Sequence, residues 1–182
     1  MVAAQGRFEA MTLSRTTRFA LIGKSGAGKS TAAEMISSFH GARRVSTGVI
    51  CREISHLLFG DENKASTQKI DDALMTIDQS IFLKAALRQI PETDSICVDS
   101  LRFKSDLQIA RDQGFYVIRI VAQEKLRLER LDARGQIFDQ ALDGCHRSET
   151  ELDDAEVDLV IFNGGSREKM RLAVEKISVG KS

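Results

Sequence analysis

Apolar positions along the chain fall into short unbroken runs that alternate with stretches of three-and-four spacing, the pattern of buried strands alternating with amphipathic helices. Arg18-Phe19-Ala20-Leu21-Ile22 reads as a first buried strand, and Ser30 to Phe39 as the helix after it. Arg43 to Ser46 predicts a second short strand and Thr47 to Phe59 a helix closed by Gly60. Asp61 to Gln68 is polar and turn-like. Beyond Asp71-Asp72 the apolar residues Leu74, Ile77, Ile81 and Ala85 recur three and four apart until Pro91, so one amphipathic helix is expected there. Ser95 to Asp99 is an apolar run ending in a carboxylate, the form of a strand covered on both faces. Phe103 to Gln113 predicts a helix capped by Gly114, Phe115 to Val121 a strand, and Glu124 to Arg134 a charged helix ended by Gly135. Gln136 to Asp153 has no clear period. Val157 to Phe162 gives a last strand, Asn163-Gly164-Gly165 a turn, and Ser166 to Ile177 a closing helix with Ser166 as N-cap. About five such alternations predict an α/β three-layer domain on a mainly parallel, five-stranded sheet.

Composition narrows the partners. The 182 residues, 42% of them hydrophobic, suffice for one domain with a substantial core and divide poorly into two. Lys plus Arg and Asp plus Glu number 26 each, so no global basic surplus favours a nucleic-acid coat, and a small anion is the expected partner. Cys51, Cys97 and Cys145 form no disulfide framework or zinc spacing, which points to a reducing, cytoplasmic setting. Cys145 beside His146 supplies two neighbouring ligands where a zinc tetrahedron needs four. Residues 1–15 read as a loose extension without an apolar run for a leader or membrane span, with Met11 a second candidate start; the domain is expected over 16–182.

The densest chemistry is Gly23-Lys24-Ser25-Gly26-Ala27-Gly28-Lys29-Ser30, two spaced glycines followed by Lys and Ser between a predicted strand and a predicted helix. Small residues let the backbone wrap a phosphate with its N–H groups inward, while the next helix brings its positive end to the same anion. Lys29 is expected at the β- and γ-phosphates, Ser30 on the bridging Mg²⁺, and Thr31 just behind it, so ATP with Mg²⁺ is the predicted cofactor pair.

Ser46-Thr47-Gly48-Val49-Ile50-Cys51-Arg52 resembles the Ser-Thr-Gly-x-x-x-Arg signature of nucleoside monophosphate kinases. That family often carries Asp after the glycine, where this chain has Val49. Asp99-Ser100-Leu101-Arg102-Phe103 resembles, more narrowly, the end of the third strand in deoxynucleoside monophosphate kinases of the viral type, with one residue more between the Asp and the Arg. His146-Arg147-Ser148-Glu149 resembles the His-x-Ser-Glu segment of the same enzymes. The resemblance spans Phe19 to about Ile177 and implies a P-loop kinase fold with acceptor-binding helices over about 47–90 and a small lid over about 135–153. It also implies roles. Ser46, Thr47, Gly48, Arg52 and Arg102 would hold the acceptor phosphate, Asp99 would reach the magnesium through water, and Arg130, Arg134 and Arg147 would close on the transferring phosphate. Asn163 and Gly164 would border the adenine.

Physical readings of individual residues accompany these. An unpartnered carboxylate at the end of a buried strand is costly without a cation, which favours Asp99 near the metal over a role as helix cap. Arg127, Arg130 and Arg134 share one helical face, but Arg127 is expected to make only a surface ion pair with Glu124 or Glu129. Glu149 and the acidic run from Glu151 to Asp158 are expected to be mostly a solvated face.

The resulting expectation is an enzyme that transfers phosphoryl from ATP to a nucleoside or deoxynucleoside monophosphate, a small-molecule partner, with no membrane association. A hydroxyl acceptor, including a hydroxymethylated pyrimidine in nucleotide or DNA, is the alternative, with Asp99 as base. A nucleotide-dependent switch is the second alternative, opposed by the arginines and by the lack of a base-reading motif: Asn63-Lys64-Ala65-Ser66 ends in the wrong residue for one.

Overall fold

The computed structural model describes residues 16–135 and 147–178. Strand β1 (Arg18–Ile22) leads through the glycine loop into helix α1 (Lys29–His40), followed by β2 (Arg43–Val45), α2 (Thr47–Phe59), α3 (Lys64–Met75) and α4 (Ile81–Arg88). Then come β3 (Ile96–Val98), α5 (Lys104–Asp112), β4 (Tyr116–Val121), α6 (Glu124–Asp132), the short α7 (Arg147–Thr150), β5 (Leu159–Phe162) and α8 (Arg167–Glu175). The strands form one sheet in the order β2-β3-β1-β4-β5 with every neighbouring pair parallel. The chain first runs to the β2 edge and returns, then crosses β1 to add β4 and β5. Strand order therefore reverses at β1, and the crevice at a reversal lies beyond the carboxyl ends of the strands, where the glycine loop starts.

Alternation along β1 makes the three layers. Phe19 and Leu21 join Ile36 of α1 and Met170 and Val174 of α8 on one face. Ala20 and Ile22 join Leu83 of α4, Val98, Ala110 of α5 and Phe115 on the other. Burial of both faces is why the strands read as unbroken apolar runs. A third, smaller cluster of Cys51, Ile70 and Phe82, with Ile54, Leu74 and Ile81 against it, ties α2, α3 and α4 into an arm beside the sheet.

The single helix expected from Asp71 to Ile90 is two. The stretch Asp61 to Gln68, read as turn, already contains the first turns of α3, because Asn63 caps it by accepting the Ser66 N–H at 2.9 Å. The helix then stops at Met75. The Asp78 carboxylate accepts the Ser80 N–H at 2.9 Å and the Lys84 ammonium at 2.5 Å, closing a turn that starts α4 afresh. Ile77, placed on the apolar stripe by its spacing, is 75% exposed at this turn. Other expected elements hold to within a few residues: Ser166 caps α8, its hydroxyl accepting from Lys169 N–H, whereas Phe103 precedes α5 and Asp106 accepts the Phe103 N–H. Residues 1–15 and most of the expected lid, 136–146 with Cys145 and His146, lie outside the described residues. Among the described residues no helix is long and apolar enough to cross a membrane.

Replacing buried Ile120→Ala should cost about 2–5 kcal/mol of stability, whereas Ile77→Gln should change it by less than ~0.5 kcal/mol, both read from urea unfolding midpoints. A loss above ~1 kcal/mol at Ile77 would mean the residue packs as one continuous helix requires.

Candidate functional site

The glycine loop is shaped by close approach. At Gly26 (φ 77°) a Cβ would sit 2.5 Å from the Arg127 carbonyl oxygen, and at Gly28 (φ 101°) it would sit 2.3 Å from Nδ2 of Asn163. Both positions have a positive φ, and a side chain would meet fixed backbone at Gly26 and displace the Asn163 amide from the Ala27 carbonyl at Gly28, so either would distort the loop. Gly28 is also the residue from which α1 departs, its carbonyl accepting the first helical N–H from Ala32 at 3.0 Å. Ser30 is exposed in the first turn of α1 and Thr31 is half-buried behind it.

The loop's carbonyl side is held by side chains from distant elements. Arg127 of α6 donates to the Ser25 carbonyl at 2.8 Å, and Arg130, one turn on, donates to the Gly26 carbonyl and to Asn163 Oδ1 at 3.3 Å each. Asn163 in turn donates through Nδ2 to the Ala27 carbonyl at 2.8 Å. The expectation that Arg127 is a surface ion-pair residue is therefore wrong. Its guanidinium is buried and satisfies a loop carbonyl, which leaves the loop's N–H groups directed to the other side. Its signal in the sequence is the three-residue offset to Arg130. Arg134 does not share their position, because α6 ends at Asp132 and Arg134 is exposed in the turn beyond it. Asn163 is a buried buttress of the loop through its side chain, and Gly164 is exposed beside it.

Lys29 folds back over the loop, donating to the carbonyls of Gly23 at 2.5 Å and Lys24 at 3.1 Å. Burial pushes its ammonium down to about 8; Glu149 opposes that shift, Arg102 adds to it, Asp99 opposes it and Arg127 adds to it. The folded chain thus gives up this proton at lower pH than the unfolded chain. The group lowers stability at neutral pH, and that cost fades as pH rises from about 8 toward 10.5. The same set of charges shows that Asp99, Arg102 and Glu149 all converge on the Lys29 ammonium.

Asp99, 6% exposed beyond the end of β3, meets a cation that the sequence did not single out. Arg44 of β2 donates to its Oδ2 from Nη2 at 2.8 Å and from Nε at 3.1 Å, and reaches Glu34 of α1 at 3.3 Å. Asp99 is not the cap of α5; Asp106 fills that place and also accepts the Arg102 N–H at 3.3 Å. Of the residues expected to hold an acceptor, Ser46 precedes α2, and Thr47 and Gly48 begin it. The Arg52 guanidinium lies over Gly48, 3.4 Å from where a Cβ would stand, with Glu62 no nearer than 3.9 Å. Burial, then Asp71, push the Cys51 thiol up, and the charges of Arg102 and Arg52 both pull it back. The Arg147 side chain lies outside the described residues.

The acidic run is mostly exposed, as expected, with Asp153, Asp154, Glu156 and Asp158 at the surface, but several of its carboxylates, and that of Glu149 in α7, are tied to distant elements. The Glu149 carboxylate accepts the Ser25 N–H at 2.7 Å and the Ser25 hydroxyl at 2.6 Å. Asp153 pairs with Lys24 at 3.0 Å, Glu151 accepts the Lys104 N–H at 2.9 Å, and Asp158 pairs with Arg111 at 2.5 Å. Each of these partners comes from an element remote in sequence, which periodicity cannot report.

No protein-family model and no curated protein matches the chain by sequence. By structure it is similar to a shikimate kinase from Acinetobacter baumannii in complex with shikimate, with a TM-score of 0.58 and 12% identity over 90% of this chain and 92% of that one. It is also similar to a putative kinase from Chloroflexus aurantiacus (0.55, 14%, 89% and 98%) and to a sugar kinase from a Janibacter species (0.54, 14%, 87% and 91%). The chain has the fold of the P-loop kinases. In a P-loop kinase fold the loop after β1 is the donor-phosphate site. The residues here fit Mg²⁺ and a nucleoside triphosphate: the glycine cradle has no room for a Cβ, a basic Lys29 bonds only carbonyls and feels the charge of Asp99, and the exposed Ser30 stands in the first turn of α1.

Two outcomes follow. Phosphate should restore the Lys29 proton, so ATP binding at about pH 9 should take up close to one proton, with little uptake through this group at about pH 7; titration calorimetry in buffers of different ionisation enthalpy reads this, and Lys29→Arg should remove it. Arg127→Ala should weaken ATP binding at least about tenfold by leaving the Ser25 carbonyl unpaired and the loop unsupported. Wild-type ATP affinity in that variant would assign Arg127 a surface role after all.

Proposed function

We propose that the protein is an ATP-dependent phosphotransferase whose acceptor is a nucleoside or deoxynucleoside monophosphate. The observation that carries this reading is the pair Arg52 and Arg102, exposed guanidiniums from two separate segments whose charges both act on Cys51, with the charge of Arg102 also reaching Lys29. Arg52 has only a 3.9 Å contact with Glu62 to offset its charge, so the two arginines favour a dianion between them, and a monophosphate fits two guanidinium forks. In the proposed reaction an oxygen of that phosphate forms the bond to the γ-phosphorus as the bond from γ-phosphorus to the bridging oxygen breaks, releasing ADP.

The chain's residues position and neutralise. Lys29 exchanges two loop carbonyls for donor phosphate oxygens, and the loop N–H groups, freed on that side by the grip of Arg127, Arg130 and Asn163 on the carbonyls, hold the rest. Ser30 and Asp99 would hold Mg²⁺, Asp99 through water, with Arg44 fixing the carboxylate by Oδ2. Bound Mg²⁺ would supply neutralisation of charge across the β- and γ-phosphates. Arg134, exposed beyond α6, is the described arginine best left to meet the transferring group, with Arg147 a second and Arg130 acting through the loop. An ionised phosphate needs no strong base, which suits a site where the buried Asp99 carboxylate is bound to arginine.

A hydroxyl acceptor with an anionic group elsewhere is the second reading, favoured by the structural similarity to an enzyme in complex with shikimate. One assay separates them: labelled ATP and Mg²⁺ with a panel of ribo- and deoxynucleoside monophosphates, the matching nucleosides, shikimate, sugars, and DNA with or without hydroxymethylated pyrimidines. Label in a nucleoside diphosphate is the expected result, and transfer only to hydroxyl acceptors would overturn the proposal. With the acceptor in hand, Arg52→Ala and Arg102→Ala should each raise its KM at least about tenfold with ATP affinity nearly unchanged, and Lys29→Ala should lower kcat at least about 10²-fold.

A further inference from the structure

Glu149 lies 124 residues from Ser25, yet both oxygens of its carboxylate are bound by that loop residue, one by the N–H and one by the hydroxyl. The segment is held in place on both sides. Lys24 pairs with Asp153 at 3.0 Å, and Arg119 of β4 donates to the carbonyls of Leu152 at 2.9 Å and Ala155 at 2.6 Å. Glu149 is also the largest source of negative charge acting on Lys29, ahead of Asp99. A carboxylate therefore rests on a phosphate-loop amide with its field on the phosphate-loop lysine, and an amide with an ammonium is the combination that seats a terminal phosphate.

We propose that Glu149 sets the donor site's discrimination between tri- and diphosphate: its carboxylate holds the terminal-phosphate end of the loop in the free protein, must leave when a triphosphate seats, and can stay when a diphosphate binds. This rests on the reading of the loop as the donor site. Two anions cannot share a partly buried seat without strong repulsion, and the two bonds to Ser25 are of the charge-assisted kind, so displacement carries a definite cost in affinity. The cost falls on the γ-phosphate alone. ADP carries no group that reaches the carboxylate's place, and its binding leaves the Glu149 contact with Ser25 intact.

The test compares Mg²⁺-bound ADP and a non-hydrolysable ATP analogue by titration calorimetry on the full chain. Glu149→Gln, which keeps the shape and removes the charge, should tighten the analogue about tenfold and ADP less than about twofold. Equal gains for both nucleotides, or no gain for the analogue, would overturn the inference. Wild-type protein that bound neither nucleotide would instead sink the donor-site reading. A second measurement needs no variant: carbodiimide labelling of carboxylates, read by mass spectrometry, should find Glu149 sheltered in the free and ADP-bound protein and labelled at least about threefold faster with the analogue. The same rate in all three states would equally overturn the inference.

Discussion

A loop that turns its backbone N–H groups toward an anion leaves its carbonyls facing the protein, and those carbonyls must find donors or carry the penalty of burial unpaired. The structure answers that demand with side chains. Arg127, Arg130 and Asn163 bond the carbonyls of Ser25, Gly26 and Ala27 in succession, and Lys29 temporarily covers those of Gly23 and Lys24. The packing is so close that two glycines cannot gain a methyl group. In the proposed function, phosphate recognition at the front of the loop therefore depends on Arg127, Arg130 and Asn163 behind it.

Charge around the loop is arranged in alternation. Lys29 feels Glu149 and Asp99 on one sign and Arg102 and Arg127 on the other, while Asp99 is itself clasped by Arg44, which extends to Glu34. Such a lattice keeps several charged groups close together at tolerable cost before any ligand arrives, because each buried charge has an opposite neighbour. A ligand bearing several negative charges then redistributes existing pairs instead of meeting bare cations. Arg52 and Arg102 are exposed at the edge of this lattice, Arg102 still reaching Lys29 by its charge, and in the proposed function they mark the acceptor side.

Much of this was legible in the sequence where the physics is local. The strand before the loop, the glycine spacing, Lys29 and Ser30, and the helix ends at Gly60 and Gly114 all follow from neighbouring residues. What was hidden depends on tertiary partners. Asp99 was recognised as needing a cation, but only the parallel register that sets Arg44 beside Cys97 supplies it from β2. Arg127 and Glu149 read as surface charges because most charged residues are, and although the offset of Arg127 to Arg130 marks a shared face, it does not name a loop more than a hundred residues earlier as the partner. The expected helix over Asp71 to Ile90 misled for another reason: the turn at Asp78 resumes helix close enough in phase that the apolar spacing survives across the break.

The backing of the loop has a consequence for biosynthesis. The sequence motif is complete at Ser30, but its supports come much later, Arg127 lying 102 residues beyond Ser25 and Asn163 136 residues beyond Ala27. A nascent chain emerging amino end first would thus present the glycines long before it could hold their carbonyls, and contacts of such separation close late because of the entropy of the intervening loop. Nucleotide would find no ordered seat on a partly translated chain. The ability to hold phosphate would then appear in one step, when β5 docks against β4 and carries Asn163 beneath Gly28.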